Sequence, residues 1–330
     1  MVARQRILSR TALILPLLGS IGLFIGWTQS PDSRMDQGAA FVDSRSTIRV
    51  ASDLVLVPVS VTDASRKPVK DLAAKDFQIA EDGTLQQIAS MQEPGQSPVE
   101  LALLIDISGS VAPRFDFEQK AGAEFVRSVA GPHSHISIFT IGPDPGRVGD
   151  RSNDPARSIN ALMSLRPGRD ATAFYDSLAE AAEFLRGAAT PFSRRVQVAI
   201  SDGEDNYSLE HGLNSTLKEL QRADCVFYSI NPAKPSVSIN VMSRRAQNIL
   251  QFLAVETGGE AFLPDDWSAL PSIYSLIAAD LQAQYLLGYY SSRTSNDGAY
   301  RRISVTIPQR PDLRIRARQG YFVPTMDQSG

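Results

Sequence analysis

Short apolar runs alternate with helix-period segments through the middle of the 330-residue chain. The runs are unbroken rather than alternating, which is typical of strands buried on both faces of a parallel sheet. Between and after them, apolar residues recur at three- and four-residue spacing, as in amphipathic helices. Strands that alternate with helices predict a doubly wound, mostly parallel α/β sheet of the Rossmann-like kind. The clearest runs are Leu101–Ile105, Ile136–Ile141, Val196–Ile200 and Val226–Ile230.

The segments on either side of this region have a two-residue period instead. From Val55 to Val61 a valine stands at every second position, and residues 302–307 and 313–318 alternate in the same way. This is the pattern of strands with one buried face. Asp82-Gly83 is a strong hairpin signal, and it predicts a return strand over Gln86–Met91. Both flanks are therefore predicted to be antiparallel β structure.

The change of period predicts the domain organisation. A small antiparallel sheet is marginally stable alone, so the economical prediction joins both flanks into one β-sandwich-like domain, with the α/β domain inserted between them. Two separate sheets are the alternative. The arginines at 302, 314, 316 and 318 alternate along their strands and are predicted to lie on the solvated face. The predicted segments are 1–30 (signal peptide or anchor), 31–47 (linker), 48–95 (β), 96–283 (α/β), 284–324 (β) and 325–330 (tail).

The N-terminal residues predict export. Arg4, Arg6 and Arg10 precede the uncharged, apolar stretch Thr11–Trp27, which is the order of a secretory n-region and h-region. A stretch of about 17 residues is at the short end for a membrane span, so a cleaved signal peptide and a retained single-span anchor both stay open. Either way the positive flank stays in the cytoplasm, and the rest is periplasmic, on the cell surface or secreted. No cysteine stands directly after the stretch, which excludes a bacterial lipoprotein anchor.

The composition excludes several functions. The net charge of −3 does not suit a general nucleic-acid binder, which is clearly basic. The single cysteine, Cys225, rules out an intrachain disulfide. The three histidines, His133, His135 and His211, are too scattered for a zinc site.

Three segments place oxygen-bearing side chains where a parallel sheet gathers its ligands. Asp106, Ser108 and Ser110 follow the first buried run, Thr172 precedes a predicted helix, and Asp202 follows the third run. Loops after neighbouring strands meet at the carboxyl edge of such a sheet. Two carboxylates and three hydroxyls, free of Cys and His, suit a hard cation bound at about 2.0–2.1 Å. The sequence therefore predicts a Mg²⁺ site, with Mn²⁺ and Ca²⁺ as alternatives.

This set resembles the metal-ion-dependent adhesion site of the von Willebrand factor type A (VWA) family. The resemblance covers roughly residues 96–283 and implies the VWA fold. It also implies that Ser108, Ser110 and Thr172 bind the metal directly in some states, whereas Asp106 and Asp202 often act through water. An open coordination position is then filled by an Asp or Glu of a protein partner. The family pattern of Asp-x-Ser-x-Ser, then Thr, then Asp-Gly reads here as Asp106, Ser108, Ser110, Thr172 and Asp202-Gly203.

The flanks also resemble a bacterial subgroup, the exported VWA-related proteins frequent in acidobacteria. Members of that group are mostly of unassigned function, so the resemblance implies an architecture and a site rather than a biological role. One departure from the wider family is Asp170-Ala171, where many members have Gly-Gly before the threonine. The similar segments are Lys75–Phe77, Glu81–Gly83, Tyr285–Tyr289 and Arg318–Tyr321.

The predicted function is an exported protein-binding or adhesion module, without catalytic activity, whose Mg²⁺ site binds an acidic group of a protein partner. A cell-envelope scaffold with a regulatory or vestigial metal site is one alternative. A Mg²⁺-dependent phosphotransfer enzyme is another, although it normally needs a second acid where Ser108 stands. The sequence shows neither the Gly-x-Ser-x-Gly of a serine hydrolase nor a nucleotide-binding P-loop. Membrane contact is expected only through an uncleaved N-terminal segment.

Overall fold

The computed structural model describes residues 54–168, 171–188, 190, 192–232, 241–293, 295 and 297–325. The predicted signal peptide or anchor and the predicted linker lie outside these residues. The strands, in chain order, are β1 (Leu54–Thr62), β2 (Gln78–Glu81), β3 (Thr84–Gln86), β4 (Ile88–Gln92), β5 (Val99–Asp106), β6 (His135–Ile141), β7 (Gly146–Arg147), β8 (Arg194–Ile200), β9 (Cys225–Ile230), β10 (Ala261–Phe262), β11 (Tyr285–Tyr290), β12 (Tyr300–Thr306), β13 (Arg314–Ala317) and β14 (Gly320–Phe322). The α-helices are α1 (Phe115–Val129), α2 (Pro155–Ser164), α3 (Phe174–Ala188), α4 (Leu213–Arg222), α5 (Val241–Thr257) and α6 (Leu270–Ala283).

The central sheet has six strands in the order β10-β9-β8-β5-β6-β7. All neighbours are parallel except β7, which runs antiparallel to β6 at the edge. Leu103 in β5 lies between Ile138 of β6 and Val198 of β8. The prediction of a doubly wound, mostly parallel sheet is confirmed, and β5 is one of its two central strands.

Helices cover both faces of this sheet, which explains why its strands are apolar without alternation. On one face, odd-numbered β5 residues such as Leu101 and Leu103 share a buried cluster with side chains of α1, α2 and α6. On the other face, Ala102 and Leu104 share a cluster with α3, α4 and α5. Each β5 side chain is therefore buried on whichever face of the sheet it lies, and the strand buries apolar surface on both sides.

The flanking segments form two four-stranded antiparallel sheets, in the orders β13-β1-β11-β4 and β14-β12-β2-β3. Each sheet contains strands from before and after the α/β region, and the two sheets share one buried cluster. The valines of β1 line that cluster, and Val57 and Val59 are fully buried. We call this pair of sheets the frame.

The hairpin prediction holds at its turn but not in its return strand. Asp82 and Gly83 have φ values of 47° and 82°, the left-handed pair of a type I′ turn. The predicted single strand over 86–91 is wrong, because β3 ends at Gln86 beside β2 and β4 begins at Ile88 beside β11. The chain passes from one frame sheet to the other within this segment.

A buried carboxylate lies at the centre of the frame. Glu81 is 1% exposed, and the Arg301 guanidinium donates to its Oε1 at 3.1 Å. The Ser291 hydroxyl donates to the same oxygen at 2.7 Å. Tyr289 and Tyr321 donate to Oε2 at 2.8 and 2.9 Å. Both oxygens of Glu81 are thus bound by donors, one of them cationic.

Two of the four frame arginines do not lie on a solvated face, so that part of the prediction is wrong. Arg316 forms ion pairs with Asp280 of α6 and with Glu260. Arg318, 5% exposed at its side chain, pairs with Asp224. These pairs join the frame to the side of the α/β unit opposite the ends of β5 and β8. No helix among the described residues is both long and apolar enough to cross a bilayer.

Candidate metal centre

Asp106 ends the central strand β5, and its carboxylate is buried at the carboxyl edge of the sheet. We call this edge the rim. The side chain is 1% exposed. The Ser108 backbone N–H donates to Oδ1 at 2.9 Å, and the Ser201 hydroxyl donates to Oδ2 at 2.8 Å. Two neutral donors therefore orient the carboxylate, and no basic side chain pairs with it in the described part of the chain.

Ser108 and Ser110 bring two hydroxyl groups together beside Asp106. Their Oγ atoms are 3.1 Å apart. Ser108 has extended backbone angles and precedes a short helical turn over Gly109–Arg114. Ser108 is the N-cap residue of this turn, but its side chain makes no capping hydrogen bond. The turn leaves both hydroxyls on the same side of the loop.

Asp202 follows the neighbouring strand β8, whose Ile200 is paired with Ile105 of β5. Its Oδ1 accepts the Glu204 N–H at 3.0 Å. Burial is the main cause that raises the pKa of Asp106, and the nearby Asp202 carboxylate raises it further. The two acids predicted from the sequence are therefore electrostatic neighbours at the rim.

Gly203 allows the turn after Asp202. Its φ is +77°, in the left-handed region that favours glycine. A Cβ at this position would lie 2.7 Å from Leu250 in the core. A larger residue would displace either this loop or α5, and with it the position of Asp202.

Thr172 is buried on the third rim segment, and its backbone is bound to the loop that follows Asp202. The Thr172 N–H donates to Oδ1 of Asn206 at 2.8 Å. The Thr172 carbonyl accepts the N–H groups of Asn206 and Tyr207 at 3.0 and 3.1 Å. On the other side, the Gly168 N–H donates to the Ile107 carbonyl. Hydrogen bonds thus connect all three predicted segments, whereas Asp170 lies outside the described residues.

The side chains at the rim fit a hard divalent cation. Asp106 and Asp202 are mutually repulsive carboxylates, and neither forms an ion pair with a described Lys, Arg or His side chain. The Ser108 and Ser110 hydroxyls stand beside Asp106, and Thr172 is bound through its backbone to the loop that follows Asp202. Within the described ranges, no three His, Cys, Asp or Glu side chains cluster as a metal site. The candidate donors at the rim are instead two carboxylates together with hydroxyl groups. Oxygen donors of this kind suit Mg²⁺ rather than Zn²⁺.

Glu118 is a buried acid near the rim that the sequence analysis missed. Its side chain is fully buried in α1, and its Oε1 accepts from Nε of Arg114 at 2.6 Å. Burial, with a smaller contribution from the Asp106 carboxylate, raises the pKa of Glu118 to about 7 against the opposing effect of Arg114. Arg114 also donates to the Ser110 carbonyl at 3.3 Å. The available signal was the i, i+4 spacing of Arg114 and Glu118 on one helix face.

The other acids of the rim loops hold those loops in place. Asp176 accepts the N–H groups of Leu209 and His211 at 2.8 and 2.7 Å, and Nδ1 of His211 lies 3.0 Å from Oδ1. Burial acts to raise the pKa of Asp176, but these hydrogen bonds together lower it. Asp205 accepts the Tyr175 N–H at 3.3 Å. The sequence excludes His211 only from a zinc site, and in the structure this residue helps to fix the loop.

Residues 101–204 match the family model of the von Willebrand factor type A domain. The matched segment begins in β5, ends just after β8 and contains all five predicted metal ligands. The resemblance to the VWA family is therefore confirmed for this segment. No protein of curated function gives a significant match to the chain.

Several solved structures are similar to the chain at low identity. BatB from Bacteroides thetaiotaomicron, a conserved hypothetical protein, is 18% identical and has a TM-score of 0.41, with 55% of this chain and 98% of BatB covered. The pilus adhesin SpaC from Lactobacillus rhamnosus GG is 14% identical with a TM-score of 0.46, over 65% of this chain and 35% of SpaC. The SpRpn10 VWA domain is 17% identical with a TM-score of 0.42, over 55% and 94% of the two chains. The fold assignment rests on the strand order and the family match.

Proposed function

We propose that this chain is an exported protein-binding module that takes an acidic group of a protein partner at a Mg²⁺ centre. The ligands of that centre are Asp106, Ser108, Ser110, Thr172 and Asp202. The observation that carries the proposal is the pair Asp106 and Asp202, two neighbouring carboxylates with no basic partner among the described residues. Such a pair is unfavourable without a cation, because burial and like charge both oppose ionisation.

A bound Mg²⁺ would supply a Lewis-acid contact for the carboxylate of the partner. The residues of the chain hold the donors in position. Ser201 and the Ser108 N–H fix both oxygens of Asp106, and Asn206 fixes the backbone of Thr172. Arg114, itself anchored by Glu118, holds the carbonyl of Ser110. Donors that are already oriented lose little entropy when an ion or partner binds.

We infer binding rather than catalysis from the side chains that neighbour the rim serines. A serine nucleophile needs an adjacent base that a third group orients. His211, the histidine of the described rim loops, is hydrogen-bonded to Asp176 rather than to a serine hydroxyl. The export part of the proposal rests on the N-terminal sequence alone, from Arg4 to Trp27.

Calorimetry of the purified protein with Mg²⁺ tests the proposal. We expect one Mg²⁺ to bind to the parent, and Asp106→Ala and Thr172→Ala to weaken binding about tenfold to a hundredfold or more. Asp312→Asn is the matched control, because it removes an exposed carboxylate from the frame and leaves the rim intact. No binding by the parent, or equal binding by all four proteins, contradicts the metal centre.

A pull-down with and without chelator then separates the proposed function from its alternatives. A protein partner captured in Mg²⁺ and released by chelator supports carboxylate binding at the centre. A partner that stays bound in chelator, and is also captured by Asp106→Ala, indicates a scaffold with a vestigial site. Mg²⁺-dependent turnover of a phosphorylated substrate, lost in Asp106→Ala, indicates an enzyme.

A further inference from the structure

Two polar atoms in the core between α1 and α6 have no hydrogen-bond partner among the described residues. They are Oε2 of Glu118 on α1 and the hydroxyl of Tyr274 on α6. The two side chains are 0% and 2% exposed. A buried polar group without a partner costs free energy, and native proteins bind nearly all such groups to protein atoms or to ordered water.

The Tyr274 hydroxyl lies over the same face of α1 as Glu118. The tyrosine ring is stacked on Phe125 of α1, with the ring centroids 4.7 Å apart. Its hydroxyl lies 3.7 Å from the position that a Cβ would take at Gly122. Gly122 is four residues after Glu118, and residues at that spacing share one helix face. The two unpartnered atoms are therefore neighbours across the interface of the two helices.

The two groups have complementary hydrogen-bonding chemistry. Burial raises the pKa of Tyr274 well above its usual value, and the charge of Glu118 raises it further, so the hydroxyl keeps its proton and is a donor. Oε1 of Glu118 accepts from Nε of Arg114, which leaves Oε2 as an acceptor. No direct hydrogen bond joins the hydroxyl to Oε2. A water molecule can accept from the first group and donate to the second.

Gly122 leaves room for one such molecule beside the tyrosine. A Cβ at this position would lie 3.1 Å from Cδ2 of Leu162 and 3.8 Å from Cδ2 of Leu103. The space therefore holds a single heavy atom rather than a larger group. Glycine is less favourable than alanine inside a helix, but here it keeps a side chain away from the Tyr274 hydroxyl.

We propose that one water molecule binds between α1 and α6, where it accepts a hydrogen bond from the Tyr274 hydroxyl and donates one to Oε2 of Glu118. Buried water of this kind is part of a protein structure and joins polar groups that do not reach each other. The other oxygen of Glu118 anchors Arg114, so the water fixes the acid that holds this arginine. The site needs no metal ion, and the inference is independent of the proposed function.

The sign of one substitution tests the inference in chelator at pH 8, where Glu118 is mostly ionised. Tyr274→Phe removes only the hydroxyl and leaves the bound water with one partner fewer. We expect the unfolding equilibrium constant of the full chain to rise about fivefold, as measured by urea unfolding followed by circular dichroism. A hydroxyl without any partner gives the opposite sign, because its removal relieves a buried unpaired group. A constant that falls in Tyr274→Phe therefore overturns the inference.

Tyr289→Phe is the matched control for this sign. It removes a hydroxyl that donates to Oε2 of Glu81 at 2.8 Å, so it should also raise the unfolding constant.

Gly122→Ala supplies the second arm of the test, because its methyl group should displace the water without altering either polar side chain. In this background the Tyr274 hydroxyl lacks its partner, and Tyr274→Phe should now lower the unfolding constant. The control background is Gly187→Ala on α3, where a Cβ would have no atom within 4 Å, and there Tyr274→Phe should still raise the constant. The same sign of the effect in the Gly122→Ala background as in the parent overturns the inference.

Electron density from crystals of the full chain tests the site directly and does not depend on the variants. We expect an ordered water within hydrogen-bond distance of the Tyr274 hydroxyl and of Oε2 of Glu118. Density that resolves other buried waters but none between these atoms overturns the inference. A direct hydrogen bond between the two side chains, or their rotation to other partners, overturns it as well.

Discussion

The frame and the rim each bury an acid, and the two acids have opposite surroundings. Glu81 in the frame receives four side-chain hydrogen bonds, including one from the cationic Arg301. Asp106 at the rim is just as buried, but its donors are one backbone N–H and one neutral hydroxyl. Its charged neighbour is Asp202, which adds negative charge.

The difference separates an acid that stabilises the fold from one that is available to a ligand. Glu81 has its charge and its hydrogen-bonding capacity satisfied within the chain, so removing a partner leaves a buried charge uncompensated. Asp106 lacks such compensation, which makes it costly to the fold and attractive to a cation. The same side-chain chemistry thus serves stability in the frame and, under the proposed function, binding at the rim.

Removing the Arg301 cation from the buried Glu81 is expected to have the largest effect on stability. Arg301→Met leaves the buried Glu81 charge without its cation and should lower the free energy of unfolding by about 3–5 kcal/mol. Urea unfolding followed by far-UV circular dichroism measures the change. The control is Arg302→Met, on the next, exposed residue of the same strand, which should shift stability by less than about 0.5 kcal/mol. Equal effects of the two changes would mean that Glu81 is not held by Arg301.

The sequence could predict the rim better than the buried Glu81–Arg301 pair of the frame, because the rim signals are local. An unbroken apolar run followed by Asp106-x-Ser108-x-Ser110 marks a strand and its polar end within ten residues. Glu81 and Arg301 are separated by 220 positions, and neither stands out from the alternating pattern around it. Glu81 meets Arg301 because β2 pairs with β12, and that pairing is a tertiary property.

The errors of the sequence analysis have the same origin. The sequence does not single out Ser201, because its bond to Asp106 depends on β5 and β8 being neighbours. α5 begins at Val241, and residues 241–248 show no clear apolar period that would mark its first two turns in the sequence. Arg316 shows the same alternation as the exposed Arg314, and its ion pairs with Glu260 and with Asp280 of α6 distinguish it.

The next largest expected effect is the pH dependence of stability that Glu118 causes. Its pKa is raised from the usual 4.5 to about 7 in the folded protein, so the folded state favours the protonated form. The contribution to stability is fully present below pH 4.5 and is lost as the pH rises through 7. With metal chelated, we expect the parent to lose on the order of 2 kcal/mol between pH 5 and pH 8.

The variant Glu118→Gln should flatten that profile, because the amide stays neutral across the range. Unfolding in urea at a series of pH values measures both proteins, and Glu124→Gln, an exposed position on the same helix, is the control that should follow the parent. Parallel profiles for the parent and Glu118→Gln would show that Glu118 does not titrate in this range.

Neutralising the two contrasted acids in the same way should change stability in opposite directions. In chelator at pH 7, Asp106→Asn removes a buried charge that is close to Asp202 and should raise the free energy of unfolding by about 1 kcal/mol. Glu81→Gln removes the partner of Arg301 and should lower it. Mg²⁺ should then stabilise the parent and Glu81→Gln but not Asp106→Asn. Destabilisation of both variants in chelator would mean that Asp106 serves the fold as Glu81 does.

The smallest expected effect concerns Ser201, which orients Asp106 without being a proposed ligand. Ser201→Ala removes the hydroxyl that donates to Oδ2 of Asp106 and accepts the Gly203 N–H. We expect Mg²⁺ affinity to fall about tenfold and stability in chelator to change by less than about 1 kcal/mol. Ser201→Thr keeps the hydroxyl and should retain more of the affinity. Because Asp106 has few internal donors, losing one of them should affect metal binding more than folding. A variant that loses stability but keeps its full affinity for Mg²⁺ would show that this hydroxyl supports the strand end rather than the metal centre.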